Sequence, residues 1–219
     1  MKLDEHTLTV LKNFQGINQS IRIDAGNVIT TSSPSKTFLG RAKLEVQFPK
    51  TFAIYNVKTF LSIALMFKDA DIEFHDNYLN FVDGKKKIRF TFCDISTIVY
   101  PDRPLSRFPE DEVFLEFTLT SDMLKEVHTV ISVLGHDGII LKGEKGKLLL
   151  TTSSDSNQSE FVREIGETDK TFSFIFESTK LNFIPQDYKV SLAKKLKMHL
   201  ESDTIEYWVA GHAKSKFSE

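Results

Sequence analysis

The chain has 219 residues, 41% hydrophobic and 26% charged, with 19 Phe against a single Trp. That is material for one large domain or two of about 100 residues each. A formal charge of −2 argues against a generic basic nucleic-acid binder, and the lone Cys93 excludes an internal disulfide framework or a Cys-based zinc site. No apolar run approaches the roughly 20 residues that span a bilayer, and the opening segment Met1 to His6 lacks the apolar stretch of a signal peptide, so a cytosolic protein is expected. Charge is unevenly divided: residues 1–109 hold 15 Lys and Arg against 11 Asp and Glu, and residues 110–219 hold 13 against 19. Such asymmetry suggests segregated surface fields.

In chain order, Thr7, Val10, Leu11, Phe14 and Ile17 recur at helical spacing and predict a first helix. Asp24-Ala25-Gly26-Asn27, leading into Val28 to Ser33, reads as strand, tight turn, strand. Phe52 to Tyr55 reads as an apolar strand entering a second helix, Val57 to Phe67. Three antiparallel strands follow: Asp71 to Phe74, Tyr78 to Val82 and Ile88 to Phe92. Three of the six prolines then fall between Tyr100 and Pro109. Proline removes a donor and fixes φ, so this stretch suits neither a central strand nor a helix interior. It reads as a stiff, extended connector.

The same order of elements then repeats. Met123, Leu124, Val127, Val130, Ile131 and Leu134 predict a third helix after a Ser121-Asp122 cap signal. Glu144-Lys145-Gly146-Lys147 turns a hairpin into Leu148 to Ser154. Phe172 to Phe176 leads into a fourth, short helix from Ser178 to Phe183. Tyr188 to Ala193, Leu196 to Glu201 and Ile205 to Ala210 close the second half. The fold class is therefore α+β: a domain over residues 1–99, a connector over 100–110 and a second domain over 111–219. Each half is expected to pack two helices on one face of an antiparallel sheet of eight or nine strands.

These residues carry a resemblance. Leu11-Lys12-Asn13-Phe14 with Ile17-Asn18, Ala53-Ile54-Tyr55 with Phe60-Leu61, Pro101-x-Arg103-Pro104 with Phe108-Pro109, Phe172-x-Phe174-Ile175, Tyr188-Lys189 and Tyr207-x-Val209-Ala210 follow in order over nearly the whole chain. In this the chain resembles the DNA polymerase sliding clamps, or processivity factors, of T-even-type bacteriophages, which are similar in fold to proliferating cell nuclear antigen. It departs from the pattern around Lys194-Lys195-Leu196 and after Ala210. The resemblance implies a two-domain ring subunit, three chains to a ring, that encircles duplex DNA and tethers the replicative polymerase without a cofactor or chemistry of its own. It also implies an ATP-dependent clamp loader, a role with late-transcription factors, no membrane partner, and action in the cytoplasm of the infected host.

A clamp of this kind must hold DNA without gripping it, through phosphate contacts and no base reading. The resemblance implies that the helices line the hole. Lys12, Lys58, Lys68, Lys125 and Lys180 lie on the polar sides or ends of the four predicted helices, with His128 beside Lys125, and are the candidate DNA-facing residues. Lys85, Lys86 and Lys87, after Asp83-Gly84, form either a rim contact or a solvated turn. Tyr100, Pro104, Leu105 and Phe108 are candidates for an apolar partner pocket, or else they pin the connector to the domains. Trp208 reads as core. Ring closure is expected between strand edges near Asp71–Phe81 and near Gly138–Thr151.

Enzyme chemistry finds little footing. His6, His75, His128, His136, His199 and His212 show no metal-ligand spacing. There is no phosphate loop, nucleophile elbow or zinc-protease motif. Cys93, after Phe90-Thr91-Phe92, reads as a small buried hydrophobe. Asp69, Asp71 and Glu73 read as a turn and an exposed strand face. A second class fits the same features: a non-enzymatic phage tail or baseplate protein with duplicated β-rich domains.

Overall fold

The computed structural model describes all of the chain except residues 68, 102, 155–158, 178–182 and 219. It divides into two units, Met1–Leu105 and Ser106–Glu219. The first begins with helix α1, Glu5–Ile17, because Asp4 Oδ1 accepts the Thr7 amide at 2.6 Å and caps it. Val10, Leu11 and Phe14 bury one stripe. The helix stops at Asn18, whose Nδ2 donates to the Ser32 carbonyl at 2.8 Å while its Oδ1 accepts the Ser20 amide at 3.0 Å. A buried amide with both ends satisfied thus ties the helix end to the strand that finishes at Ser32.

Seven strands, helix α2, Val57–Met66, and a single short helical turn, Ile95–Thr97, complete the described part of this unit: β1 Ile21–Ile23, β2 Gly26–Ser32, β3 Phe38–Phe48, β4 Phe52–Ile54, β5 Asp71–Phe74, β6 Tyr78–Asp83 and β7 Lys86–Thr91. The hairpin expected at Asp24–Asn27 is corrected. β1 pairs with β4, Ile21 opposite Ile54, and β2 pairs with β3. Gly26 at φ +112° carries the chain from one sheet into the other. β1 offers only three residues, whereas β3 runs for 11 with its first half alternating inward and outward, so the longer ladder takes β2. The phenylalanines explain the core. Phe48, Phe52, Phe74 and Phe92 form an edge-on cluster with the Phe52 ring 5.6, 5.4 and 4.9 Å from the other three, and Phe60 lies 5.5 and 5.3 Å from Phe81 and Phe90.

The second unit holds β8 Val113–Leu119, α3 Ser121–Leu134, β9 Gly138–Glu144, β10 Lys147–Ser153, β11 Phe161–Glu167, β12 Thr171–Glu177, β13 Tyr188–Ala193, β14 Lys197–Glu201, β15 Ile205–Ala210 and β16 Lys216–Ser218. Thr120, one residue before the expected cap, accepts the Met123 amide, so Ser121 and Asp122 form the first turn. Gly135 at φ +66° ends α3. The expected fourth helix falls, but for Phe183, outside the described residues. One sheet runs β11-β10-β9-β12-β16, and β8, β13, β14 and β15 lie side by side in another. The hairpin at Glu144–Lys147 is as expected, Lys147 pairing Glu144.

Gly143 lies on the interior strand β9, where a Cβ would run into the Lys170 carbonyl and come within 2.6 Å of the Phe172 ring. Gly143→Ala is expected to cost about 1–3 kcal/mol by overpacking, read as a lowered midpoint in urea. An unchanged midpoint would show that β9 gives way there.

Candidate nucleic-acid and partner interfaces

Each described helix turns a wet stripe outward opposite its buried one. On α1 that stripe holds Glu5, Thr9, Lys12 and Gly16, and on α2 it holds Lys58, Ser62 and Leu65. Lys12 and Lys58 therefore stand where the sequence places them. On α3 the exposed residues include Asp122, Lys125, Glu126 and Thr129. Lys125 sits 3.3 Å from Asp122, and Glu126 pairs with Arg163 of β11. The α3 face is thus mixed in sign. His128 is half-buried rather than on the wet side, and that burial pushes its pKa down, so it adds no charge near neutrality. Lys68 and Lys180 lie outside the described residues.

Lys85 follows Gly84 in the β6–β7 turn, where Asp83 pairs Lys86. Lys86 and Lys87 are already strand, and Lys87 meets Glu73 at 3.3 Å. With Arg89 they make β7 a basic strand, while Ile88 and Phe90 point inward. The edge expected near Asp71–Phe81 is corrected in part: β6 is interior, and Met1 pairs with the outer side of β5 through the Ile72 amide at 2.7 Å. The edge expected near Gly138–Thr151 is corrected outright, since β9 and β10 are both interior. Among the described residues the outer strands of these two sheets are β5 and β7, and β11 and β16; β5 is met by Met1 and β16 is only three residues long, so β7 and β11 are the longer open edges. β11 carries Glu164 and Glu167 against Arg163, with Val162 exposed.

The four candidate pocket residues do not share one cleft. Tyr100, Pro104 and Leu105 line a cleft of about 360 Å³ with Thr30, Arg41 and Arg103. Its walls are held by polar bonds: Tyr100 Oη donates to Asp24 Oδ2 at 2.7 Å, and Arg41 Nη1 donates to the Leu105 carbonyl at 2.7 Å. Phe108 instead lines a cleft of about 460 Å³ with Arg107, Phe114, Glu116, Lys189 and Glu201. It packs edge-on against His199, 5.9 Å away. His199 stacks on Trp208 at 4.6 Å, its Nε2 lies 3.1 Å from Glu206 Oε2, and Trp208 Nε1 donates to the Ser106 carbonyl at 3.0 Å. Trp208 is buried, as expected. Its partner His199 was missed, because a lone His on an alternating strand gives no signal of what it stacks on.

Residues 2–100 match the family model of the DNA polymerase processivity factor, and residues 116–213 match that of the gp45 sliding clamp, C terminal. The chain is 30% identical to the sliding clamp of Vibrio phage KVP40, over 97% of this chain and 100% of that one. The chain belongs to the sliding clamp family. The clamp of Enterobacteria phage T4 is 29% identical, over 98% of both chains. In fold the clamp is similar to A. fulgidus PCNA (TM-score 0.66, 15% identity, 95% and 96% covered). It is also similar to DNA polymerase III subunit beta from Borrelia burgdorferi (TM-score 0.69, 13% identity, 95% of this chain and 63% of that one). A sliding clamp is a processivity factor of phage DNA replication that serves DNA and its polymerase and catalyses nothing. Family membership leaves the tail or baseplate reading without support.

In the clamp, burial holds the His199 imidazole below its ordinary 6.5, outweighing Glu206, which pulls it up. Glu201, which Arg107 pairs, also faces it. A lowered folded value means the neutral form is favoured on folding. Its contribution is full above about pH 6.5 and is lost as pH falls through the folded value. Emission of the single Trp is expected to titrate with a midpoint below 6.5, and His199→Leu should remove that transition. A midpoint above 6.5 in the unsubstituted chain would contradict the buried stack.

Proposed function

We propose that three copies of this chain close head to tail into a ring around duplex DNA, in the cytoplasm of the infected host. An ATP-dependent loader opens the ring, and late-transcription factors join the polymerase as partners. The observation that carries the ring is the charge of the two open edges. β7 presents Lys86, Lys87 and Arg89, and β11 presents Glu164 and Glu167. Antiparallel addition of one edge to the other uses the free backbone groups and puts opposite charges across the join. Exposed apolar groups lie in the same two units: Leu65 and Met66 at the end of α2, and Val133 near the end of α3. Light scattering should give three times 25.0 kDa. Lys87→Glu with Arg89→Glu should shift the mass toward one chain at equal concentration. An unchanged mass removes this pairing.

The DNA-facing set in this reading is Lys12, Lys58, Lys68, Lys125 and Lys180, with Lys85 to Lys87 at the rim. The family membership and the exposure of Lys12, Lys58 and Lys125 support it. Each removes one screened phosphate contact when replaced, about 0.9 in the slope of log affinity against log salt. Lys12→Ala or Lys125→Ala should lower loading or processivity modestly and leave the melting temperature unchanged. A large fall in melting temperature would make the residue structural. After loading, retention on circular DNA should resist salt while linear DNA is lost from its ends. Equal retention on both would end the encircling reading.

Residues 100–110 are proposed as the connector between the domains, and the clefts at its two ends as the polymerase contacts. Tyr100, Pro104 and Leu105 border one and Phe108 the other. Phe108→Ala should weaken polymerase binding, read by calorimetry. Unchanged affinity would eliminate that cleft.

A further inference from the structure

The last residues of the chain fold back onto the sheet of the second unit. At Gly211 a Cβ would lie 3.1 Å from both the Leu196 carbonyl and Ser215 Oγ, a tight fit that would make these neighbours give by a few tenths of an ångström. The His212 amide then donates to the Ile175 carbonyl at 2.8 Å. Ser215 Oγ accepts the Ile175 amide at 2.9 Å. Beyond it β16 pairs antiparallel with β12, Phe217 opposite Phe172. The outer edge of β12 is thus occupied from Thr171 to Ile175, by one short strand, one side-chain hydroxyl and the His212 amide.

The aromatic contact is as local. Phe217 lies 4.4 Å from Phe114, whose ring is 5.3 and 5.6 Å from Phe172 and Phe174. Phe172 and Phe174 are buried, while Phe217 remains half-exposed. Three strand residues, the His212 and Ser215 bonds and one partly covered ring are set against the ordering of seven residues. A ligand that pairs along the same edge of β12 and fills the aromatic slot more completely than the half-exposed Phe217 would displace the tail.

We propose that the β12 edge and the Phe114–Phe172–Phe174 surface form a peptide-docking site that residues 212–218 occupy in cis. Its ligand is an extended peptide segment of a partner protein, pairing with Thr171 to Ile175 and placing one aromatic side chain against Phe114. The occupant on the page already has that chemistry, a strand with Phe217 inward of two lysines, Lys214 and Lys216. The site is distinct from both clefts along residues 100–110 in using a strand edge. Its use in recruitment rests on the clamp reading, but binding of a peptide needs neither DNA nor a ring, so the two can fail separately.

The test uses the full chain and a fluorescein-labelled peptide of residues 212–218, read by anisotropy. A tail closed about nine-tenths of the time weakens apparent binding about tenfold. Full-length Phe217→Ala, whose tail is loosened, should therefore bind the peptide up to about tenfold more tightly than the unsubstituted chain. The peptide with its own Phe replaced by Ala should bind neither the unsubstituted chain nor the variant. Hydrogen exchange at the Ile175 amide should quicken in the variant and slow again on peptide addition. Equal peptide affinity for the variant and the unsubstituted chain overturns the proposal. So does binding that survives loss of the peptide's Phe, or exchange at Ile175 that ignores both changes. Exchange of tails between copies, seen as concentration-dependent mass, overturns it in favour of a self-association site.

Discussion

A β-sheet ends in a row of N–H and C=O groups that must be hydrated, covered or paired with something else. In this chain that requirement connects features far apart in sequence. On β5 the outer side exchanges bonds with Met1, so the first residue of the chain is part of the sheet. On β12 the turn at Gly211 and the strand Lys216–Ser218 serve the same purpose. On β7 and β11 the edge carries charge instead. An excess of one sign along an edge, basic on β7 and acidic on β11 in spite of Arg163, opposes pairing of that edge with its own copy, since like charges directly opposite each other destabilise a ladder. It does not oppose pairing with the other edge. The arrangement therefore disfavours a two-fold dimer through either strand and permits a head-to-tail contact, the kind that generates a ring when its rotation closes.

The helices answer a different constraint. Each buries a stripe against its sheet and must turn the opposite stripe to water. That fixes where Lys12 and Lys58 stand, because Leu11 and Phe14, or Val57 and Leu61, fix the helix rotation. It does not fix the sign of the face. On α3 the stripe holds two carboxylates beside Lys125, one of them paired with Arg163. An exposed pair of this kind contributes little, roughly 0–1 kcal/mol, and dissolves when a phosphate competes for the lysine. Weak, screened contacts are compatible with a protein that must move along its ligand, where tight ones would hold it in place.

Much of the fold was legible because local chemistry and tertiary structure agree. The helical stripe of Thr7 to Ile17, the Lys145-Gly146 hairpin and the strands Tyr188–Ala193 and Ile205–Ala210 all reappear as expected. Where partner choice was non-local, the residues were silent. Nothing in Ile21–Ile23 announces that Phe52–Ile54 will take its hydrogen bonds, so a turn that changes sheets looked like a hairpin. β11 is an edge only because β10 is already paired on its other side with β9. The candidate lysines were legible as exposed residues, and their ion pairs were not. The tail was unreadable for the same reason: three residues of strand carry no period, and only the partner β12 gives them a conformation.

The connector had two readings in the sequence, a binding element or a pinned one. The structure separates these by atom rather than by residue. It is the backbone and the polar tips that are held: the Leu105 carbonyl by Arg41, the Ser106 carbonyl by Trp208 and the Tyr100 hydroxyl by Asp24. The apolar faces are left partly exposed, with Pro104 exposed and Leu105 and Phe108 half-buried. Holding the main chain in advance removes much of the ordering cost that a loose loop would add to binding, while the uncovered side chains remain to be buried by a partner. Pinning and offering are thus compatible, because the hydrogen bonds that fix the segment use none of the surface that an apolar ligand would cover.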